Sequence, residues 1–158
     1  MADQPDTFAM LEVALVNIRS CANVGNILRT AKSFNFTHIH LIGTTPDIDR
    51  KEVLKASLGG ESIPSSRYVT WKQFLTQNKT ATIIGLETGG QKIQDYAPPK
   101  KEKVIIALGN ERSGLGNEEK ATCDYILSII HNRALINSLN VSSAFAIAAN
   151  YFYTQLSD

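Results

Sequence analysis

Short apolar runs of strand length alternate with segments in which apolar residues recur every three or four positions, and this alternation governs what the chain can fold into. Strand-like runs stand at residues 11–16, at 38–42 (closed by Gly43), near Tyr68 and Val69, at 81–86, at 103–108 and at 125–130. Helical spacing fits residues 24–36, 49–57, 71–77 with Thr70 as a cap, 117–122 and 139–155. The run Lys103–Leu108 is apolar throughout its second to sixth positions, as in a strand covered on both faces. Strands and helices taking turns in this way predict an α/β fold: a mostly parallel sheet with helices on both faces.

At 158 residues the chain suits a single domain spanning 1–158, with no separate RNA-binding domain. The polar stretch Ala97-Pro98-Pro99-Lys100-Lys101 joins segments that cannot each close a core. Sixteen Lys and Arg face fifteen Asp and Glu, so any anionic partner must be met by a local patch rather than by net charge. Residues 1–6 are polar and acidic, unlike a secretory leader. No apolar run reaches the ~18 residues of a membrane span. Cys21 and Cys123 lack metal-ligand spacing and suit reduced thiols, which points to the cytoplasm.

Ligands of an open parallel sheet bind beyond the carboxyl ends of its strands. Four loops leave those ends: residues 17–26, 87–90, 109–116 and 131–140. None carries G-x-G-x-x-G or G-x-x-x-x-G-K-[ST], so the pyrophosphate-cradling fingerprints are missing. That weighs against a small-molecule enzyme using a dinucleotide. His38 and His40 share one side of a strand without a third ligand, and no metal is expected.

Three stretches within this framework resemble the ordered motifs of the SpoU/TrmH family, in the SPOUT superfamily of RNA methyltransferases. They are Asn23-Val24-Gly25-Asn26-Ile27-Leu28-Arg29-Thr30-Ala31, Leu108-Gly109-Asn110-Glu111-Arg112-Ser113-Gly114-Leu115 and Ser138-Leu139-Asn140-Val141-Ser142. The resemblance covers almost the whole chain. It implies an α/β domain whose C-terminal segment threads a deep trefoil knot, against the usual rule for chain connections. It implies S-adenosyl-L-methionine held bent in that knot, at Leu86, Glu87, Thr88, Gly90, Gly109, Ile130 and Leu139. It implies methylation of a ribose 2′-hydroxyl of RNA, tRNA ahead of rRNA, by a homodimer whose subunits complete each other's sites. A catalytically silent RNA-binding protein of the same fold is the alternative.

By the same resemblance the catalytic group comprises Arg29, Asn23, Glu111, Asn140 and Ser138. A guanidinium keeps its proton at ordinary pH, so Arg29 is better suited to gripping an RNA phosphate and favouring the developing alkoxide than to acting as a base. Asn23 orients the ribose, bridges to the loop at 109–116, or caps a helix. Glu111, the one acid of that loop, anchors it or accepts a proton. Asn140 and Ser138 position the nucleophile, and the first amides of the last helix offer a place for a carboxylate. Arg19, Arg29, Arg112 and Arg133 are the expected RNA contacts, and Tyr151, Phe152 or Tyr153 the expected dimer contacts. The chain departs from the family at His131, where proline is common, at Ala134, where glycine is frequent, and at Asn137, where a basic residue often stands.

Overall fold

The computed structural model describes residues 10–157; the acidic segment at 1–6 lies outside them. Six strands form one sheet: β1 (Met10–Val16), β2 (His38–Ile42), β3 (Ser65–Tyr68), β4 (Thr82–Lys92), β5 (Lys103–Leu108) and β6 (Tyr125–Ser128). Their spatial order is β3-β2-β1-β5-β4-β6, and each neighbouring pair runs parallel. The sheet is thus wholly parallel rather than mostly so. Five helices accompany it: α1 (Cys21–Ser33), α2 (Lys51–Ser57), α3 (Trp71–Gln77), α4 (Asn117–Thr122) and α5 (Val141–Leu156).

Strand pleating divides the core in two. Leu11, Val13 and Leu15 of β1 join the layer of Val24, Ile27, Leu28, Phe145, Ala148 and Phe152 contributed by α1 and α5. Ala14 and Val16 face the opposite way, into the layer of Trp71 and Phe74 from α3. A fully buried Val, Leu, Ile or Phe contributes about 1.5–3 kcal/mol, so the five consecutive buried residues Val104 to Leu108 of β5 anchor both layers.

Several boundaries differ from those read in the sequence. Helix α1 starts at Cys21 because the Ser20 hydroxyl accepts the Asn23 amide at 3.2 Å. Its first residues, Cys21, Ala22 and Asn23, are small and not buried, which hid the start from a reading of apolar spacing. It stops at Ser33, before Asn35, which takes a left-handed φ of 60°. The final helix begins at Val141 with Asn140 as its cap, and β6 stops at Ser128. The largest difference concerns residues 87–90, expected as a loop. β4 continues through them to Lys92, yet Leu86 and Gln91 both pair with Leu127 of β6. The intervening residues form an extended bulge that leaves the ladder and returns to it.

The strand order sets the position of the site. From β1 the chain builds outward through β2 to β3, then crosses to form β4, β5 and β6 on the other side of β1. The order reverses between β1 and β5, and the loops leaving their carboxyl ends lie side by side there.

Candidate active site

Two loops meet beyond β1 and β5. After β5 the chain turns back on itself: the Gly114 amide donates to the Asn110 carbonyl at 2.8 Å, and Asn110 Oδ1 accepts the Arg112 and Ser113 amides at 2.9 and 3.1 Å. Gly109 has to be glycine here, because a Cβ would overlap the Gly114–Leu115 peptide. The turn is tied to β4 through Glu87, whose carboxylate accepts the Leu115 amide. Asn110 Nδ2 donates to the Asn17 carbonyl at 2.8 Å, fastening the turn to the end of β1.

Glu111 lies at the centre of the junction. Its carboxylate accepts the Arg19 amide at 2.9 Å, the Ser20 amide at 2.8 Å and Asn23 Nδ2 at 3.1 Å. Partial burial alone would raise its carboxyl; the Arg19, Ser20 and Asn23 donors outweigh that and hold it below the usual carboxylate range. A carboxylate so supplied with donors is a weak proton acceptor, so the geometry fits an anchor better than a base.

From Asn23 the network continues to the last motif. Asn140 Nδ2 donates to Asn23 Oδ1 at 3.2 Å. Asn140 Oδ1 meanwhile accepts the Ser142 and Ser143 amides at 2.9 and 3.3 Å. Two expectations are thereby corrected. Asn23 is not a helix cap, since Ser20 fills that position and leaves the Asn23 side-chain carboxamide to bridge. The first-turn amides of α5 at Ser142 and Ser143 are already taken by the cap and are not open to a carboxylate.

A cavity of about 450 Å³ opens beside this chain of hydrogen bonds, a volume typical of small-molecule sites. Asn23, Leu86, Glu87, Thr88, Gly109, Glu111, Ser138, Leu139 and Asn140 line it. Gly90 and Ile130 do not. Gly90 is packed against Ile126 on β6 and its carbonyl accepts the Ser128 hydroxyl at 2.9 Å. Ile130 is 55% exposed, whereas Ile129 and His131 on either side reach the cavity. No sequence signal singled them out, because β6 ends at Ser128 and Leu127 and Ser128 are both buried. Val141 and Ala144 of α5 and Leu108 of β5 add apolar wall.

Arg29 lies elsewhere. It is exposed on α1, outside the cavity lining, and Gly60 packs against its backbone. Arg19, Arg112 and Arg133 are also exposed, and of these Arg112 lines the cavity. His40 bonds Glu12 Oε1 at 2.7 Å and the Tyr68 hydroxyl at 2.9 Å, and His38 bonds the Ser66 hydroxyl at 2.7 Å. No helix among the described residues is long and apolar enough to cross a membrane.

A parallel sheet whose order reverses beside a pocket built from β4, β5, Asn23 of α1 and the start of α5 defines an open α/β domain with its ligand site at the switch point. Residues 10–150 match the model of the SpoU rRNA methylase family, and the chain belongs to that family. The chain is 27% identical, over 92% of its length, to the tRNA (cytidine-2′-O-)-methyltransferase TrmJ of Methanocaldococcus jannaschii, of which it covers 68%. The AdoMet-bound rRNA methyltransferase of Sinorhizobium meliloti superposes with a TM-score of 0.84 at 25% identity, over 93% of this chain and 57% of that one. A structure concerned with 2-OH methylation of C/U34 on tRNA shares the fold with a TM-score of 0.83 at 23% identity, over 94% of this chain and 97% of that one. The chain spans 68%, 64% and 61% of the lengths of three curated relatives, or about two thirds.

Proposed function

We propose that the protein transfers a methyl group from S-adenosyl-L-methionine to a ribose 2′-hydroxyl of RNA, with tRNA as the substrate. The observation that carries this reading is the run of hydrogen bonds Glu111–Asn23–Asn140, which joins all three motifs at one cavity. TrmJ, named for tRNA cytidine 2′-O-methylation, is a relative over nearly the whole chain and favours tRNA.

The residues present suit the cofactor. Gly109 admits close approach of a ligand to the backbone, and Leu86, Leu108, Ile129, Leu139 and Val141 offer apolar surface for an adenine ring. Glu87 and Thr88 flank it on the β4 bulge. When bound, the cofactor supplies an electrophilic methyl group on a sulfonium. The protein's own part is alignment, and holding reactants in line can supply roughly 7–11 kcal/mol. Asn140 and Ser138 orient the ribose, with Asn140 held by Asn23 and Asn23 by Glu111. The passage of residues 129–140 through the loops at 86–92 and 109–116 as a trefoil belongs to the same proposal.

Arg29 acts on the phosphate beside the target ribose, where its fixed charge favours the alkoxide as the hydroxyl is consumed. Because it is exposed and outside the cavity of its own subunit, it serves the site of a second copy in a homodimer. The exposed Ile147 and Tyr153 on α5 offer that copy apolar contact. Phe152, expected there, is instead 1% exposed in the core, and the Tyr151 hydroxyl is spent on the Tyr96 carbonyl at 2.5 Å.

Arg29→Ala is expected to abolish methyl transfer to tRNA, by at least about a hundredfold, while titration calorimetry with the cofactor gives an unchanged Kd. Turnover that persists in this variant would remove Arg29 from the mechanism. Mass-spectrometric mapping of 2′-O-methylated nucleotides in cells with and without the protein identifies the position modified; a map without change overturns the proposed activity.

A further inference from the structure

Between β6 and α5 the chain makes a closed turn. The Asn132 carbonyl accepts the Leu135 and Ile136 amides at 3.1 and 3.2 Å, and Asn132 Oδ1 accepts the Ala134 amide at 3.1 Å. The tip is thereby held in one shape, yet its two large side chains find no protein to cover them: Leu135 is 78% exposed and Ile136 61%. A single aliphatic side chain on a surface needs no explanation. These two are consecutive, the only such pair among the large hydrophobics exposed in the described residues. Their place is as informative as their exposure. His131 before the turn and Asn137, Ser138, Leu139 and Asn140 after it line the cavity. The pair therefore stands at the cavity rim, with Ile136 bonded directly to a residue of the wall.

The charge around the pair points to the chemistry of what covers it. Residues 129–140 contain no acid. Arg133, in the same turn, is exposed, donates to Asn137 Oδ1 at 3.5 Å and forms no ion pair among the described residues. An unneutralised guanidinium beside an apolar tip suits a ligand with phosphates and flat apolar faces in alternation, which is an unpaired nucleic-acid strand.

We infer that Leu135 and Ile136 are specificity-determining contacts for the RNA: they lie against the face of a nucleobase next to the target nucleotide while Arg133 pairs with a backbone phosphate. The inference rests on the reaction proposed above, which brings a ribose into the cavity and so its neighbours to the rim. A base offers its face only where it is unstacked, so the tip selects a target in a single-stranded segment over one in a helix. The apolar contact carries no charge and the arginine contact does, so salt separates the two.

Both side chains are exposed, and truncating them spares the core. In the double variant Leu135→Ala, Ile136→Ala the Kd for unfractionated tRNA, measured by filter binding at fixed salt, is expected to rise roughly tenfold. Titration calorimetry with S-adenosylhomocysteine gives an unchanged Kd. The slope of log K against log salt stays at its wild-type value in that variant and falls by about 1 in Arg133→Ala. Leu135→Phe keeps an apolar face and keeps the affinity.

Leu135→Trp reports on the contact itself. The chain's one tryptophan, Trp71, is buried, so the fluorescence added at the tip is expected to be quenched by tRNA, and more by an RNA hairpin with an open loop than by a blunt duplex of its stem. Unchanged tRNA affinity in the double variant, fluorescence that ignores bound tRNA, or equal quenching by hairpin and duplex overturns the inference and leaves the proposed reaction standing. A double variant whose mass falls in sedimentation velocity marks the pair as a contact between copies of the chain, which also overturns it. Failure of wild type to bind tRNA overturns both.

Discussion

Glu111 illustrates how one side chain can be structural and still decide activity. It contributes no proton in the mechanism above, yet it receives two backbone amides and the amide that in turn holds Asn140. Glu111→Ala is expected to lower stability by about 1–3 kcal/mol, as donors lose their partner, and to reduce methyl transfer more than cofactor affinity. Urea unfolding together with a KM-against-kcat comparison checks this; an unchanged kcat would show that Asn23 and Asn140 hold their places unaided. Cys123 is a contrasting case. Burial pushes its thiol up to about 12, with Asp124 and Glu119 adding to the effect, so it is expected to resist alkylation at neutral pH in a mass-spectrometric labelling assay.

At the scale of elements, close approach governs. Helices α1 and α2 meet at Gly25, where a Cβ would lie 2.5 Å from Ala56 Cβ and 2.6 Å from the Val53 carbonyl oxygen. In an isolated helix Gly→Ala gains about 1 kcal/mol. Here overpacking against backbone outweighs it, and Gly25→Ala is expected to lower stability by about 1–3 kcal/mol. A raised denaturation midpoint in this variant would contradict the packing described. The sequence pattern placed β2, β5, α3 and α4 at their observed bounds, because apolar runs and polar caps begin and end there together. It failed where local chemistry overrides periodicity: the Ser20 cap, the left-handed Asn35, and the bulge at 87–90. The three motifs were legible as a set. That Ile129 and His131, not Ile130, reach the cavity was not legible, because they lie past the end of β6, where strand alternation no longer applies. The exposure of Arg29 agrees with the helical spacing, which turns Val24, Ile27, Leu28 and Ala31 inward; that it stands outside the cavity was not legible, since spacing does not place a side chain relative to loops from other elements.

At the scale of the whole molecule, a polar cluster far from the cavity links folding to pH. Glu12 is 4% exposed, bonded to His40 and 3.4 Å from Lys103 Nζ. Burial alone would raise its carboxyl, but the His40 hydrogen bond and the charges of His40 and Lys103 prevail and lower it. Burial, then the charge of His40, lowers His38. For both groups the folded value lies below the unfolded one, so their stabilisation is full above the unfolded value and is lost as pH falls through the folded value. Stability should therefore begin to fall below about pH 6.5 through His38 and continue below about pH 4.5 through Glu12. Urea midpoints measured from pH 7.5 to 4 check the sign, and His38→Asn should flatten the upper part of the decline. Stability that rises on acidification over this range would contradict the assignment.

The bond between Asn140 and Asn23 joins residues 117 positions apart. A ribosome must therefore deliver the chain through residue 140 before the first motif can meet its last partner. Translation stalled after β6 leaves a sheet with its strands present but the third wall of the pocket unmade. Such fragments are expected to ignore S-adenosylhomocysteine, so that only chains extended through α5 compete for the cell's supply of methyl donor.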